Sequence, residues 1–377
     1  MKKTLDSTNQ IKHTIIFGAD AFGSYLIRNN LDNLPNLKKI IKDGAYSLKS
    51  HAVFPSVSAN NWNTLMRGVS TNIHGKTEWN SSTPELDKYD DKYLNPPSIV
   101  KLTKERFPNK KVAVFFRWPQ WNDIVELDLA DYYYNPVSKE DQEHWGTTPK
   151  SLTINYQDNM LVNYDIVDKA IEYFKKEKPF LLIIYVNEPD TTGHVYGHQT
   201  DYIFERAKVI DYWLGEVLKM IEEDDEVRKT TLLTFLADHG GVACDDECHG
   251  GLNPLELTVP MIFYGKMVKR WHIPYPLMHY DFAKTLLWRL DIPFPDYWNG
   301  KNLSFMFKDW DNGRLCLYQR YGGATYALYW KAKNIFLSIG EKRAIDNAII
   351  FAKKNKIQYL YLYDEDKNLL KRIKISI

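Results

Sequence analysis

The side chains best placed for chemistry are carboxylates and imidazoles that stand directly after apolar runs. Asp238 and His239 end the run TLLTFLA, and His249 follows in LADHGGVACDDECHGG, residues 236–251. Asp190 and His194 follow the run FLLIIYV, in NEPDTTGH. Asp20 closes HTIIFGA, and Ser58 sits in FPSVSANNWNTLMRG, where a strand hands over to a helix. Imidazole and carboxylate donors in this mixture suit zinc first, with manganese or iron next. Three aspartates, three histidines and one hydroxyl are enough to hold two ions, each with a position open for substrate or water. Taken singly, two of these residues have a simpler reading. Asp20 could be a helix N-cap, and Ser58 either a cap or a nucleophile at a helix N-terminus that favours an incoming anion such as phosphate. Asn61 lies one turn along, within reach of the same anion.

These residues share one edge only if the chain folds as alternating strands and helices. Strands are expected at 13–18, 46–54, 111–118, 180–186, 231–236 and 259–265. Helices are expected at 36–42, 98–107, 152–176, 202–222 and 280–290. That alternation predicts an α/β fold with a mainly parallel central sheet and helices on both faces. In such a sheet, residues at the C-terminal ends of strands converge however far apart they are in sequence. The expected organisation is a catalytic domain over 1–298, with 76–150 as an inserted cap over the site. A small antiparallel α+β subdomain, 299–377, is expected to pack on the main sheet, with a hairpin turn at Gly322-Gly323. The segment VSTNIHG, 69–75, reads as a loop.

The 49 basic and 48 acidic residues leave a net charge of +1, which gives no electrostatic case for binding a nucleic-acid polymer or an anionic membrane. No apolar run approaches the roughly 20 residues of a membrane helix. The N-terminus, MKKTLDSTNQ, lacks the apolar core of a signal peptide. Three cysteines are a sparse, odd set that fits a reducing compartment, so the expected location is cytoplasmic.

The motifs FGADAFG, FPSVSANNWNTLMRGVSTNIHG, EPDTTGH and ADHGG…HGG occur in this order. Together they resemble the alkaline phosphatase superfamily, and most closely its nucleotide pyrophosphatase/phosphodiesterase branch. The resemblance implies an alkaline phosphatase-like fold and two divalent metal ions, zinc first and manganese second. Asp190, His194 and His249 would hold one ion; Asp20, Asp238, His239 and Ser58 the other. Ser58 takes the place of the family's nucleophile, and Asn61 that of the asparagine binding the transferred phosphoryl group. The implied reaction is hydrolysis of a small phosphorylated substrate, a nucleotide among the candidates, through a covalent intermediate on Ser58. A phosphomonoesterase, a phosphotransferase or a mutase would use the same centre, and a metal-stabilised binding protein without turnover is the alternative of another class. A sulfatase would need x-Pro-x-Arg after its nucleophile, and Ser58 is followed by Ala-Asn-Asn-Trp. Two features depart from the family: Ala21 replaces a glycine, and 76–150 matches only in fragments such as Trp118-Pro119.

Six other residues invite a functional reading and have a plainer one. His198 makes a His-x-x-x-His with His194, but the motif uses only His194. Cys244 and Cys248 flank His249 and are expected to be ordinary thiols. His74 is expected to be a structural turn residue, and Arg67 and Arg117 to be solvated or salt-bridged rather than phosphate ligands.

Overall fold

A computed structural model describes residues 11–79, 95–136, 156–243, 248–273 and 276–303, with shorter stretches beyond, chiefly strand backbone. The chain forms two compact units, 1–300 and 301–377. The first unit opens with β1 (His13–Ala19), α1 (Ser24–Arg28), α2 (Pro35–Asp43) and β2 (Ala45–His51). Next come α3 (Ser58–Arg67), the single turn α4 (Thr71–His74), α5 (Ile99–Arg106), β3 (Val112–Phe115), α6 (Trp121–Ile124) and β4 (Tyr132–Tyr134). The long helix α7 (Tyr156–Glu177) precedes β5 (Leu181–Val186), α8 (Asp190–Tyr196), a second long helix α9 (Asp201–Glu222), α10 (Asp225–Thr230) and β6 (Thr231–Leu236). The unit closes with α11 (Pro254–Leu257), β7 (Thr258–Tyr264), β8 (Trp271–His272), β9 (Leu277–Met278) and α12 (Tyr280–Arg289).

The strands form one sheet in the order β4-β3-β5-β1-β6-β7-β2-β8, with β9 beside β2. It is mainly parallel, and β7 runs antiparallel to both β6 and β2. Every residue of β1, β5 and β6 is buried, as expected for central parallel strands covered on both faces. Their registers align: Phe17 lies opposite Ile184 on one side and Phe235 on the other. The three strands therefore end at the same level.

Several elements depart from the sequence reading. The expected loop 69–75 contains the turn α4, closed by Gly75 in the left-handed region at φ 68°. The stretch 76–150 is not wholly a cap: β3 and β4 belong to the main sheet, while residues 80–94 and 137–150 lie outside the described residues. All ten residues of α3 are buried, so its polar residues must bond internally. Asn63 Nδ2 donates to Ala59 O at 2.8 Å, and Thr64 Oγ1 to Asn60 O at 3.0 Å. α3 ends at Gly68, at φ 63°, where a Cβ would sit 2.3 Å from the Trp298 ring.

The second unit has a five-stranded sheet in the order β12-β11-β10-β13-β14. Its strands are β10 (Arg314–Gln319), β11 (Ala324–Leu328), β12 (Ile335–Ile339), β13 (Tyr359–Tyr363) and β14 (Leu369–Lys374). The expected all-antiparallel pairing fails at one place, because β10 and β13 pair parallel. The connection from β12 to β13, residues 340–358, is long enough to cross two strands and bring β13 alongside β10. The turn expected at Gly322-Gly323 lies outside the described residues.

α2 is tied to α9 by a side chain from outside its own sequence. The buried Asp211 carboxylate accepts from Asn36 N at 3.1 Å, Leu37 N at 2.6 Å and Asn36 Nδ2 at 3.0 Å. It thus satisfies first-turn donors that α2's own N-cap, Leu34, leaves unmet. Asp211→Ala should cost about 1–3 kcal/mol, because the donors stay buried without an acceptor. Urea denaturation measures this, and an unchanged midpoint would show that α2 docks without the cap.

Candidate active site

The equal heights of β1, β5 and β6 set the site. Past their ends, Asp20 N donates to Val186 O at 3.0 Å and Asp190 N donates to Asp20 O at 3.2 Å. These backbone bonds bring the carboxylates of Asp20 and Asp190 to one edge, and the pairing of β1 with β6, Gly18 opposite Leu236, brings Asp238 to the same edge. Ser58 joins them at the start of α3. The N-cap of that helix is Val57, and no side chain caps it. The Ser58 hydroxyl is therefore not spent on capping, and neither is Asp20, since α1 is capped at Gly23.

Asp20, Asp238, His239 and Ser58 form a closed cluster. His239 Nε2 lies 3.5 Å from Asp20 Oδ1, 3.4 Å from Asp238 Oδ2 and 3.1 Å from Ser58 Oγ. Ser58 Oγ is also 3.3 Å from Asp20 Oδ1. His239 Nδ1 is 2.9 Å from Gly240 O, which fixes the proton on Nδ1 and leaves a lone pair on Nε2. Asp20 Oδ2 accepts from Tyr185 OH at 2.6 Å and from Trp62 Nε1 at 3.3 Å. Trp62 reaches this position across Gly18, where a Cβ would lie 2.6 Å from the indole. Asp238 Oδ1 accepts from Ala21 N at 3.0 Å.

Asp190, His194 and His249 form a second, more open cluster. His194 Nε2 is 3.3 Å from Asp190 Oδ2 and 3.1 Å from His249 Nε2, which in turn is 3.4 Å from Asp190 Oδ1. The His194 side chain is 46% exposed, whereas that of His239 is 0%. His249 Nδ1 bonds Ser56 O at 3.1 Å, so its Nε2 also presents a lone pair. The His239 and His249 rings stack at 4.0 Å and join the two clusters.

Both clusters gather acceptors without matching donors. Asp238 Oδ2 and Asp190 Oδ1 are buried with no hydrogen-bond partner among the described residues. Burial, reinforced by Asp190, pushes the Asp20 carboxyl up to about 7, and burial with Asp20 pushes Asp238 well above the usual carboxylate range. Burial would raise Asp190 as well, but His194 and His249 hold it well below. Burial lowers His239 and takes His249 down to about 4, so both rings are neutral and able to act as ligands. Two like charges at 4 Å repel by about 4 kcal/mol even at an effective dielectric near 20. The donor set, with ligand atoms of Asp20, Asp238 and His239 and of Asp190, His239 and His249 each within 4.8 Å of one another, fits divalent cations.

The sequence matches the model of the family described as "Type I phosphodiesterase / nucleotide pyrophosphatase" over residues 14–276. The chain belongs to this family. Among its relatives, venom phosphodiesterase 2 of Crotalus adamanteus is 26% identical over 236 residues, 61% of this chain and 27% of that protein. The match to ectonucleotide pyrophosphatase/phosphodiesterase family member 3 of Rattus norvegicus, 25% identical, covers 61% of this chain and 25% of that protein. The chain thus spans about a quarter of the length of these curated relatives. Murine ectonucleotide pyrophosphatase/phosphodiesterase 5, solved as an inactive variant with AMP, has the same fold. It superposes with a TM-score of 0.60 at 17% identity, over 79% of this chain and 100% of that one. The fold is alkaline phosphatase-like, as the motif order implies.

All seven expected metal-ligand residues of this family member lie at one edge of the sheet. Asn61 does not face that cluster. Its Oδ1 accepts from Val53 N at 2.7 Å and lies 2.9 Å from His279 Nδ1. Its Nδ2 is 3.1 Å from each of the carbonyls of Val53, Pro55 and Val57. An amide so engaged has no donor left for a phosphoryl oxygen; it holds the segment that delivers Ser58. Arg67 is likewise structural, bound to Glu126, Asp123 O and Pro96 O. His74 is buried against Thr64 Oγ1 at 2.9 Å, and Cys248 is buried, while Cys244 lies outside the described residues.

Four contributors carried no motif signal. Tyr185 sits in an apolar run and Trp62 in a helix, yet both donate to Asp20. Ser56 and Glu256 clamp the His249 loop: Ser56 Oγ donates to Glu256 Oε2 at 2.8 Å, and Gly250 N donates to Ser56 Oγ at 3.0 Å.

A sign follows for the effect of chelation. Without cations, Asp20 takes up a proton on folding between its unfolded value near 3.8 and about 7, so the metal-free fold loses stability as pH rises through that window. A bound cation removes that penalty. A chelator should therefore lower Tm more at pH 8 than at pH 5, as measured by scanning calorimetry with and without EDTA. Equal or reversed shifts would show that the acidic cluster does not depend on a cation.

Proposed function

We propose that this chain hydrolyses phosphoric esters, with a preference for diesters and nucleotide pyrophosphate bonds, using Ser58 as nucleophile and two divalent ions, zinc first. The observation that carries the reading is the position of Ser58. Its Oγ stands at an uncapped helix N-terminus, 3.1 Å from His239 Nε2 and 3.3 Å from Asp20 Oδ1, beside two acceptor clusters that need cations.

Asp20, Asp238, His239 and Ser58 would hold one ion, and Asp190, His194 and His249 the other. When bound, the ions supply charge neutralisation and lower the pKa of the serine hydroxyl and of water. Ser58 Oγ forms a bond to phosphorus while the ester P–O bond breaks, and the departing alcohol or phosphate takes up a proton. Water then breaks the Oγ–P bond, releasing the phosphate product and returning a proton to Ser58. The N-terminus of α3 directs its dipole at the charge that develops on the phosphoryl oxygens. His194, with a side chain 46% exposed, opens the second cluster to solvent, so the leaving group and the hydrolytic water would be accommodated on that side.

A small nucleotide is the favoured substrate class, in line with the AMP bound to the murine relative. The same fold is found in a 2-O GAG sulfatase, at a TM-score of 0.60 and 13% identity. Ser58-Ala-Asn-Asn lacks the context for a formylglycine, which favours phosphoryl over sulfuryl transfer.

Ser58→Ala should lower kcat for bis-p-nitrophenyl phosphate by about 1,000-fold or more with two metal equivalents still bound. Activity near wild type would overturn the nucleophile. No hydrolysis of mono-, di- or nucleotide esters by the metal-loaded wild type would favour a binding protein instead.

A further inference from the structure

His198 is absent from the ligand set, yet it is the least explained polar side chain near the site. It follows Asp190 by eight residues and is 0% exposed. Neither ring nitrogen has a hydrogen-bond partner among the described residues. A buried imidazole with both nitrogens unmatched is costly, which calls for a partner in the working molecule. The nearest counterpart is Asp190 Oδ1, 3.8 Å from His198 Nε2, and that oxygen is itself buried and unmatched.

The ring cannot turn away to find another partner. It lies against two glycines: a Cβ on Gly193 would sit 2.1 Å from His198 Nε2, and one on Gly241 2.2 Å from its Cγ. Its own carbonyl accepts from Tyr25 OH at 3.0 Å, and the neighbouring Gln199 donates to Gly241 O at 2.8 Å. The segment after α8 is therefore pinned, with the imidazole wedged behind the metal-facing carboxylate. Gly193 and Gly241 belong to the motifs that carry Asp190, His194, Asp238 and His239, so the space for this ring is built into the loops that present the ligands. His198 does not join the ligand atoms that lie within 4.8 Å of one another.

We propose that His198 is a positioning residue for Asp190. With its proton on Nε2, the ring donates to Asp190 Oδ1 once the carboxylate shifts by roughly 1 Å toward hydrogen-bonding distance. This fixes the rotamer in which Oδ2 faces His194 and the open cation position. A neighbouring donor of this kind orients a metal-ligating carboxylate, and its loss usually costs 10–100-fold in metal affinity. The inference rests on the two-cation reading above and adds that one cation site depends on a residue outside the ligand set.

The test is direct titration of metal-free protein with Co2+, following binding by calorimetry and the visible absorption of the bound ion. Wild type should take up two equivalents. In His198→Ala, one of the two should bind about 10–100-fold more weakly with an altered spectrum, and the other should be unchanged. His198→Gln, which can place an amide N–H near the position of Nε2, should restore most of the affinity and the spectrum. Wild-type affinity at both positions in a folded His198→Ala protein would overturn the proposal. So would an equal loss in the Ala and Gln variants, since that indicates mere packing. If Ala does not fold, Gln alone decides: near-wild-type binding supports the role, and a loss overturns it. Failure of wild type to bind two ions would instead overturn the two-cation reading itself, and this proposal with it.

Discussion

Everything in the first unit answers to one electrostatic problem. Three carboxylates and three imidazoles converge at one edge of a sheet, and most of them are taken out of water. Without positive charge between them the arrangement repels itself, and Asp20 and Asp238 would hold protons rather than ionise. The fold must therefore position acceptors rigidly enough that they do not relax apart; on the proposed reading they also lie near enough for a cation to replace the proton. A parallel sheet does this because its strand ends are fixed by backbone hydrogen bonds, not by the ligands themselves.

The surrounding residues read as devices for that rigidity. Tyr185 and Trp62 occupy one oxygen of Asp20 and leave the other turned to Ser58 and His239. The Nδ1 protons of His239 and His249 are bound by carbonyls, so each ring can present only its Nε2 lone pair. Behind Asp190, the buried pair Glu188 and Arg206 shares Thr192, whose Oγ1 donates to Glu188 at 2.7 Å and accepts from Arg206 Nε at 3.1 Å. That network ties the turn bearing Asp190 to α9. Paired charge at this depth contributes little net stability, but it fixes where the turn must lie.

What was legible in the sequence was whatever depends on local pattern. Apolar runs that stop at a carboxylate gave β1, β5 and β6 and the convergence of Asp20, Asp190 and Asp238. Ser58 was legible as the start of a helix. The use of Asn61 was not, because one turn of helix places its amide by sequence spacing alone, whereas the segment before α3 folds back so that the carbonyls of Val53, Pro55 and Val57 take up that amide. Nor could pattern show that a tyrosine in FLLIIYV and a tryptophan in α3 meet at Asp20, since that contact depends on Gly18 giving up its side-chain volume to an indole. The parallel β10–β13 pair was hidden for a similar reason: strand composition does not encode which neighbour a strand finds after a long crossover.

The two clusters differ in exposure, and this divides the labour of the site. Asp20, Asp238 and His239 are sealed, so on the proposed reading a cation there would be held by fixed oxygens and nitrogen and would act on the serine beside it. In the second cluster Asp190 and His249 are largely covered while the His194 side chain is nearly half exposed, so on the proposed reading an incoming ester would meet the cation of this cluster. The shared His239–His249 stack keeps these halves at a constant offset. A nucleophile that must meet phosphorus from one side while the leaving group departs on the other needs that offset held to a fraction of an ångström. The loop 236–251 supplies it by carrying Asp238 and His239 at one end and His249 at the other. Its far end is clamped to the Ser58 segment through Ser56 and Glu256. Ser58 and the outer cluster are thus fastened to each other, and the sheet fastens both to the inner cluster.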